Sequence, residues 1–326
     1  MESSDLEKKC IKFVDFCAGI GGGRLGMLEA GLSSAGFSEI DMKASDTYRL
    51  FYGDSECNYG DLMEINPDNL PDFDVLIAGF PCQTFSIVGK REGFEDYRGQ
   101  VIYGLCKILK KKKVPYFILE NVKGLVNHDK GRTFKKIINE LSALGYCVKS
   151  TVLDSSDFGV PQMRERVYIV GYLKDNLKED FNFPAAVPMK SLKNYLIDES
   201  DACLDVNDKT FQKYLNNKYN KGKFDINEIL KQDYLVLDTR QSDLRLYKDK
   251  CPTLRTGRHG ILYVKDGKLK KLSGFEALLL QGFPLELARK AKMAKIANNR
   301  LLSQAGNAMT VNVIQAIAKK LMECCK

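Results

Sequence analysis

The stretch IKFVDFCAGIGGGRLG, residues 11–26, passes from an apolar run through clustered glycines into a segment of helical apolar spacing that opens at about Gly23. A short run rich in Phe and Val that ends at a glycine turn reads as a strand feeding a helix. Glycines at that joint let backbone approach a ligand closely, and the free N–H groups of a helix start favour negative charge. Gly19, Gly21 and Gly22, followed about twenty residues later by Glu39, approach the spacing of a dinucleotide-binding turn. A nucleoside-bearing cofactor and a plain tight turn both fit these residues.

Three further apolar runs follow, FDVLIAGF (73–80), YFILEN (116–121) and RERVYIVGYL (164–173), with helical patterns between them. Strands that alternate with helices predict an α/β domain with a largely parallel sheet and helices on both faces. Catalytic groups of such sheets gather at the C-terminal strand ends. Four landmarks fall there: the glycine turn, Cys82 after FDVLIAGF, Glu120 after YFIL, and a Gly-rich loop before Arg98. The alternation stops near Phe183. Residues 190–250 are rich in Lys, Asp and Asn, which predicts a separate, more irregular module. DYLVLD and GILYVK then read as strands, and GFEALLLQGF and VNVIQAIAKKLM as helices.

Composition narrows the class. At 326 residues with 44% hydrophobic and 28% charged content, the chain can bury a sizeable core. Its longest apolar runs fall short of the roughly 18 residues that a membrane span needs, so a soluble, cytoplasmic protein with no membrane partner is expected. MESSDLEKKC lacks the order of a secretion signal, which predicts free thiols in a reducing compartment for the ten cysteines. With two histidines, His128 and His259, and no C-x-x-C pair, ligand spacing for zinc is missing and no metal is expected. The net charge of +8 suits a polyanionic partner as well as plain solubility. The basic run Lys110–Lys113 follows a helical pattern, where it either offsets the helix dipole or touches DNA.

Cys82 lies in GFPCQTFS, beside Pro81 and ahead of a polar, Gly-rich stretch that suits a loop over a site. A thiol of ordinary pKa, about 8.5, is only slightly ionised at neutral pH, so Lys90, Arg91, Arg98, Arg164 and Arg166 are candidate activators. The histidines sit in turn-like NHDKG and GRHG, so no Cys/His arrangement is expected. Glu120 is a carboxylate at the tip of an apolar strand, where burial costs several kcal/mol without a partner. A ligand donor, a helix cap or an ion pair would each supply one. Arg164 and Arg166 share one strand face by period-two alternation and offer forks for carboxylate or phosphate, or a surface ion pair.

Together and in this order, DFCAGIGGG, GFPCQTFS, ENVKG, QMRERV, GFEALLLQGFP and QAGNAMTVNV resemble the cytosine-5 DNA methyltransferase family, of the bacterial restriction-modification type, over nearly the whole chain. The resemblance implies an S-adenosylmethionine-dependent, Rossmann-like mixed sheet with helices on both faces. A smaller, irregular β-rich target-recognition domain would be added to it. It divides the chain into a catalytic and cofactor-binding domain (1–184), a target-recognition domain (185–297) and a C-terminal segment returning to the first (298–326). It further implies that the Cys82 thiolate adds to cytosine carbon-6 and that the resulting enamine takes the sulfonium methyl at carbon-5. Loss of the carbon-5 proton and of the thiolate would release 5-methylcytosine. Glu120 would pair with the ring nitrogen and amine, Arg166 would hold the base oxygen, and Arg164 nearby phosphate or loop groups. The cytosine must be flipped from the duplex, at a cost of a few kcal/mol.

By the same resemblance the cofactor would meet Gly19, Gly21, Gly22, Glu39 on ribose, Asp61 on adenine, Leu62, Pro81 and Asn307. Phe16, Cys17, Ile40 and Ala308 are counted in the same cofactor set, and of these Cys17, Ile40 and Ala308 depart from the family's pattern. Cys17 and Ile40 replace aromatics that flank adenine, and Phe16 should point to the opposite face. Base–aromatic stacking is worth roughly 1–3 kcal/mol, so a weaker or larger pocket is expected. Ala308 replaces a serine, and Phe275 and Leu279 replace arginines. DNA contacts are expected from Gln83, Ser86, Lys90 and Arg98 in the loop after Cys82, and from Arg240, Gln241, Arg245, Arg255 and Arg258 in the recognition domain. Each arginine there suits a base edge or a phosphate. Double-stranded DNA is the implied partner, with a cognate restriction endonuclease that forms no stable complex. A monomer in a prokaryotic cytoplasm, nucleoid-associated when acting, is expected. A tRNA cytosine-5 methyltransferase, a catalytically impaired DNA-binding relative and a nicotinamide oxidoreductase are the competing readings.

Overall fold

A computed structural model describes residues 10–81, 101–199 and 202–325. The first run forms β1 (Lys12–Phe16), and the glycine cluster ends in α1 (Gly22–Glu29). The chain continues through β2 (Ser33–Ser38), α2 (Met42–Tyr52), β3 (Val75–Gly79), α3 (Val101–Lys112), β4 (Tyr116–Val122), the short α4 (Gly124–Asn127) and α5 (Arg132–Ala143). Then come β5 (Tyr146–Asp154), β6 (Gln162–Met163) and β7 (Glu165–Leu173). The main sheet has the order β2-β1-β3-β4-β7-β5. β2, β1, β3 and β4 are parallel, and β7 runs antiparallel to both β4 and β5, so the sheet is mixed.

Strict alternation buries both faces of its central strands. Phe13, Val75, Ile77, Ile118 and Val170 pack toward α1 and α11 (Val311–Cys324), while Val14, Leu76, Phe117, Leu119 and Ile169 pack toward α3 and α5. Each buried aliphatic or aromatic side chain contributes about 1.5–3 kcal/mol, which explains the near-continuous apolar runs. β2 and β5 escape sequence reading because they are the sheet edges. Their sequences, SSAGFS and YCVKSTVLD, are largely half-buried and need no apolar run.

The second half contributes β8 (Cys203–Leu204), α6 (Lys209–Leu215), α7 (Ile226–Leu230), β9 (Val236–Asp238), β10 (Arg245–Tyr247), β11 (Cys251–Pro252), β12 (Ile261–Lys265) and β13 (Lys268–Lys271). A separate antiparallel sheet, β10-β9-β12-β13-β8, encloses its own core of Phe211, Leu237, Leu262, Val264 and Leu269. α8 (Gly274–Leu280), α9 (Leu285–Met293) and α10 (Asn298–Asn307) follow, and α8 starts with a capping box between Ser273 and Glu276. An apolar cluster with Leu254, Tyr263, Leu278, Leu280 and Leu301 joins the two halves. β11 pairs in parallel with β6, a second tie between them.

Two lysines of the basic run at the end of α3 are engaged by acids of the same unit. Lys112 lies 2.8 Å from Asp72, Lys111 lies 3.2 Å from Asp68, and Lys107 donates to the Ile65 carbonyl. Among the described residues no helix is long and apolar enough to cross a membrane.

Candidate active site

Glu120 and Arg166 meet where β4 and β7 lie side by side. The register pairs Glu120 with Tyr168 and Arg166 with Val122, so the two functional side chains are diagonal neighbours on one face. Arg166 Nε stands 3.1 Å from Glu120 Oε1, and both side chains are largely buried. The contact is an ion pair of poor hydrogen-bond geometry, and Oε1 is left without a hydrogen-bond partner. A buried carboxylate with spare acceptor capacity beside a guanidinium is poised to receive donors from a ligand. On the other side, β3 pairs Gly79 with Glu120, which brings the chain leading to Pro81 alongside. Asn121, which sequence reading left without a role, donates from Nδ2 to the Phe80 carbonyl at 2.9 Å and holds that stretch. Cys82, Gln83, Ser86, Lys90, Arg91 and Arg98 lie outside the described residues. Pro81 is exposed.

Three of the candidate side chains are turned into the protein. Arg164 makes no surface contact: its side chain is buried, with Nη1 donating to the Leu254 and Gly306 carbonyls at 3.2 and 3.1 Å and Nη2 to the Ala308 carbonyl at 3.0 Å. Burial, reinforced by the charge of Arg166 and opposed by Glu120, brings its pKa down to about 9, so it remains charged at neutral pH. Arg164 thus serves loop groups and not a phosphate. Arg240 is largely turned inward as well. Its Nε and Nη2 reach both oxygens of Asp238 at 2.7 Å, Nη1 donates to the Thr253 carbonyl at 2.7 Å, and the ion pair is 7% exposed on either side. Three of its five N–H groups are thus spent within the protein, although the residue still lines the cleft described below. Phe16 is fully buried among Val14, Leu76 and Phe73, as alternation predicts, and leaves the cofactor set.

Arg255 and Arg258 are exposed, Gln241 is half-buried, and Arg245 is exposed with Nε 2.9 Å from Asp243. A cleft of about 640 Å³ between the two sheets is lined by Val122, Arg166, Gln241, Arg245, Thr253 and Arg255. Arg166 therefore faces one space with Arg240, Arg245 and Arg255.

Around the glycine turn, Glu39 Oε2 accepts the Gly19 N–H at 2.7 Å and Oε1 the Asp41 N–H at 2.8 Å. Burial raises the Glu39 pKa, and these N–H bonds oppose the rise. Gly19 has φ +57°, and a Cβ there would meet nothing within 4 Å, so its outer side is open. Gly22 is different: a Cβ would lie 2.4 Å from the Met309 carbonyl oxygen, so this glycine serves helix packing. Asp61 comes from a turn, not from a strand end, and Oδ1 accepts the Met63 N–H at 2.9 Å. Asn58, missed in the sequence because nothing marks a lone asparagine, ties the Glu39 main chain to Gly60, the neighbour of Asp61. It bonds both the N–H and the carbonyl of Glu39, and accepts from Gly60 N.

Cys17 has φ +53°, and its thiol pKa is raised by burial and then by Glu39, Asp15 and Asp61. Ile40 is 63% exposed and Leu62 is buried. Asn307, at the end of α10, accepts from the Thr256 hydroxyl, and Ala308 is buried. Two acceptor carboxylates beside an open glycine suit a ligand that offers a diol and an amine, as an adenosyl group does.

A family model described as "C-5 cytosine-specific DNA methylase" matches residues 11–323. The chain is 36% identical over 320 residues to the type II methyltransferase M1.ScrFI of Lactococcus lactis subsp. cremoris, covering 96% of this chain and 78% of that protein. It is 37% identical over 313 residues to the type II methyltransferase M.HaeII of Haemophilus aegyptius, covering 95% and 92%. Among solved structures, the Entamoeba histolytica methyltransferase EhMeth superposes with TM-score 0.74 at 17% identity, covering 97% of this chain and 99% of that one. The S. pombe Dnmt2 methyltransferase superposes with TM-score 0.72 at 19% identity, covering 96% and 98%.

Proposed function

The chain belongs to the C-5 cytosine-specific DNA methylase family, and from that premise we propose how this DNA (cytosine-5-)-methyltransferase works: it modifies one cytosine of a short duplex sequence, with Cys82 as nucleophile and S-adenosylmethionine as methyl donor. The Glu120–Arg166 pair beside the incoming Pro81 carries this reading. Glu120 would pair with the amine and the ring nitrogen of a flipped cytosine, stabilising the charge that develops as carbon-6 is attacked. Arg166 would hold the base oxygen. Asn121, through the Phe80 carbonyl, would fix the approach of Cys82.

Gly19, Gly21, Glu39, Ile40, Asp61, Leu62, Pro81 and Asn307 would hold the cofactor, with Glu39 toward ribose hydroxyls and Asp61 toward the adenine amine. The cofactor supplies an electrophilic methyl on a sulfonium. Cys17 and Ile40 would contact adenine without stacking on it.

Residues 185–297 would act as the target-recognition domain, closed on the catalytic unit of 1–184 and 298–326. Its independent apolar core supports this division, and the packing of α8 and α9 on α10 and α2 leaves 202–271 to carry the reading surface. Arg245, Gln241, Arg255 and Arg258 would contact DNA from one side, and Gln83, Ser86, Lys90 and Arg98 from the other. We further propose action as a monomer in a prokaryotic cytoplasm, on the same sites as a cognate endonuclease with which it forms no stable complex.

The test is base-resolution sequencing of a random duplex library after incubation with S-adenosylmethionine, in parallel with Cys82→Ala, Glu120→Gln and a tRNA acceptor. Methylcytosine in one DNA context, absent with Cys82→Ala and reduced at least about 100-fold with Glu120→Gln, is expected. Methylation of tRNA alone, or of neither acceptor by a folded wild-type protein, would overturn the reading.

A further inference from the structure

Gln162, Arg164 and Arg166 are three successive positions on one face of the chain segment that runs from β6 into β7. The third reaches Glu120, whereas the first two turn to the recognition half. Gln162 is fully buried; its Oε1 accepts the Leu254 N–H at 3.1 Å, and its Nε2 donates to the Leu280 carbonyl at 2.9 Å. Arg164 takes the carbonyl of the same Leu254 and ties it to the Gly306 and Ala308 carbonyls at the end of α10. Leu254 is thereby gripped at both main-chain polar groups by alternate side chains of one strand.

Gly306 shows how tight the junction is: a Cβ there would stand 2.7 Å from Thr256 N and 2.8 Å from the Arg255 carbonyl carbon. The β6–β11 pairing, with Cys251 N donating to the Pro161 carbonyl at 2.7 Å, sets the same register one step earlier.

A buried guanidinium held only by carbonyls, with Nε left unbonded, is a costly way to glue two halves together, since apolar packing does so at least as well. Its fork does what packing does not: it fixes three carbonyls from two separate segments at set angles. We propose that Gln162 and Arg164 are positioning residues that lock the recognition domain in register with the base pocket, so that the sequence read and the cytosine attacked are tied through one strand. This rests on the methyltransferase reading above. Two residues of extended chain, roughly 6–7 Å, separate Arg164 from Arg166, so slippage at Leu254 passes almost directly to the Glu120 pair.

The test uses the full chain and four variants. Arg164→Met and Gln162→Met remove the grip at similar volume, Arg164→Lys restores part of it, and Val264→Ala weakens the recognition core while leaving the grip intact. Each is assayed below its melting temperature, with activity corrected for folded fraction. Arg164→Met should lower kcat by about 100-fold, the loss expected of a misplacement near 1 Å, with KM for DNA within about threefold. Its methylation should spread to cytosines outside the wild-type context. Arg164→Lys should fall between, and Val264→Ala should leave kcat and context unchanged.

A folded Arg164→Met with wild-type kcat and context overturns the proposal, as does a Val264→Ala that shifts both equally. Failure of both Arg164→Met and Gln162→Met to fold assigns the pair to folding and also overturns it. Absence of DNA methylation by the wild-type protein would instead refute the activity on which the proposal rests.

Discussion

Asp15→Asn should abolish the pH dependence of stability that arises at the base of the glycine turn. Asp15 is fully buried on β1; its Oδ2 accepts the Arg24 N–H at 2.9 Å, and Oδ1 has no hydrogen-bond partner. Burial, opposed by the Arg24 N–H bond and charge and assisted by Glu39 and Glu56, pushes its carboxyl from 3.8 up to about 8. Between those values the folded protein binds a proton that the unfolded chain releases. The stability this confers is complete below the unfolded value and is lost as pH rises toward 8. From pH 5 to pH 8, three units at about 1.36 kcal/mol each set a ceiling of about 4 kcal/mol.

Asparagine keeps the acceptor for Arg24 but places an amide where Oδ1 stood, at a pH-independent cost of about 1–3 kcal/mol. The variant should therefore gain on wild type by up to about 4 kcal/mol between pH 5 and pH 8, and be the more stable of the two at pH 8. Urea unfolding at pH 5, 6.5 and 8 measures the difference, in which all other titrating groups cancel. Two curves that stay parallel within about 1 kcal/mol would show that Asp15 is solvated and refute the reasoning.

Gly22→Ala drives a methyl onto the Met309 backbone, which lacks the freedom of a side chain to move aside. It should cost about 1–3 kcal/mol and lower the melting temperature, as thermal unfolding would show. Arg240→Ala and Arg245→Ala should separate structure from DNA contact. The first strands the carboxylate of Asp238, whose pKa burial raises and Arg240 more than restores, and should cost about 3–5 kcal/mol by urea unfolding. The second should change stability by less than about 0.5 kcal/mol and reduce the salt slope of DNA binding by about one.

Local pattern was enough for the central strands, because a strand buried on both faces must be apolar over most of its length, and β1, β3, β4 and β7 are, with their charged residues few and mostly toward the strand ends. The edge strands β2 and β5 carry no such demand and stayed hidden. Glu120 and Arg166 were legible for a related reason: a charged residue that interrupts or borders an apolar strand needs a partner, and the two partner each other. Asn58 and Asn121 were not, since an asparagine earns notice only through the main-chain groups it happens to meet.

From the chain alone came the α/β class, the strand–turn–helix at Gly19 and the acids that face it, for all of these arise from neighbours within a few residues or from a two-residue period. The fates of Arg164 and Arg240 did not. Both are arginines in polar, strand-like contexts, and nothing local separates them from the exposed Arg255. Arg164 is buried because carbonyls 90, 142 and 144 residues away converge on it, and Arg240 because Asp238 and the Thr253 carbonyl close around its fork. Whether a cation faces solvent, phosphate or the protein's own carbonyls is settled by which distant segments fold against it, and that becomes defined only when the two halves are joined.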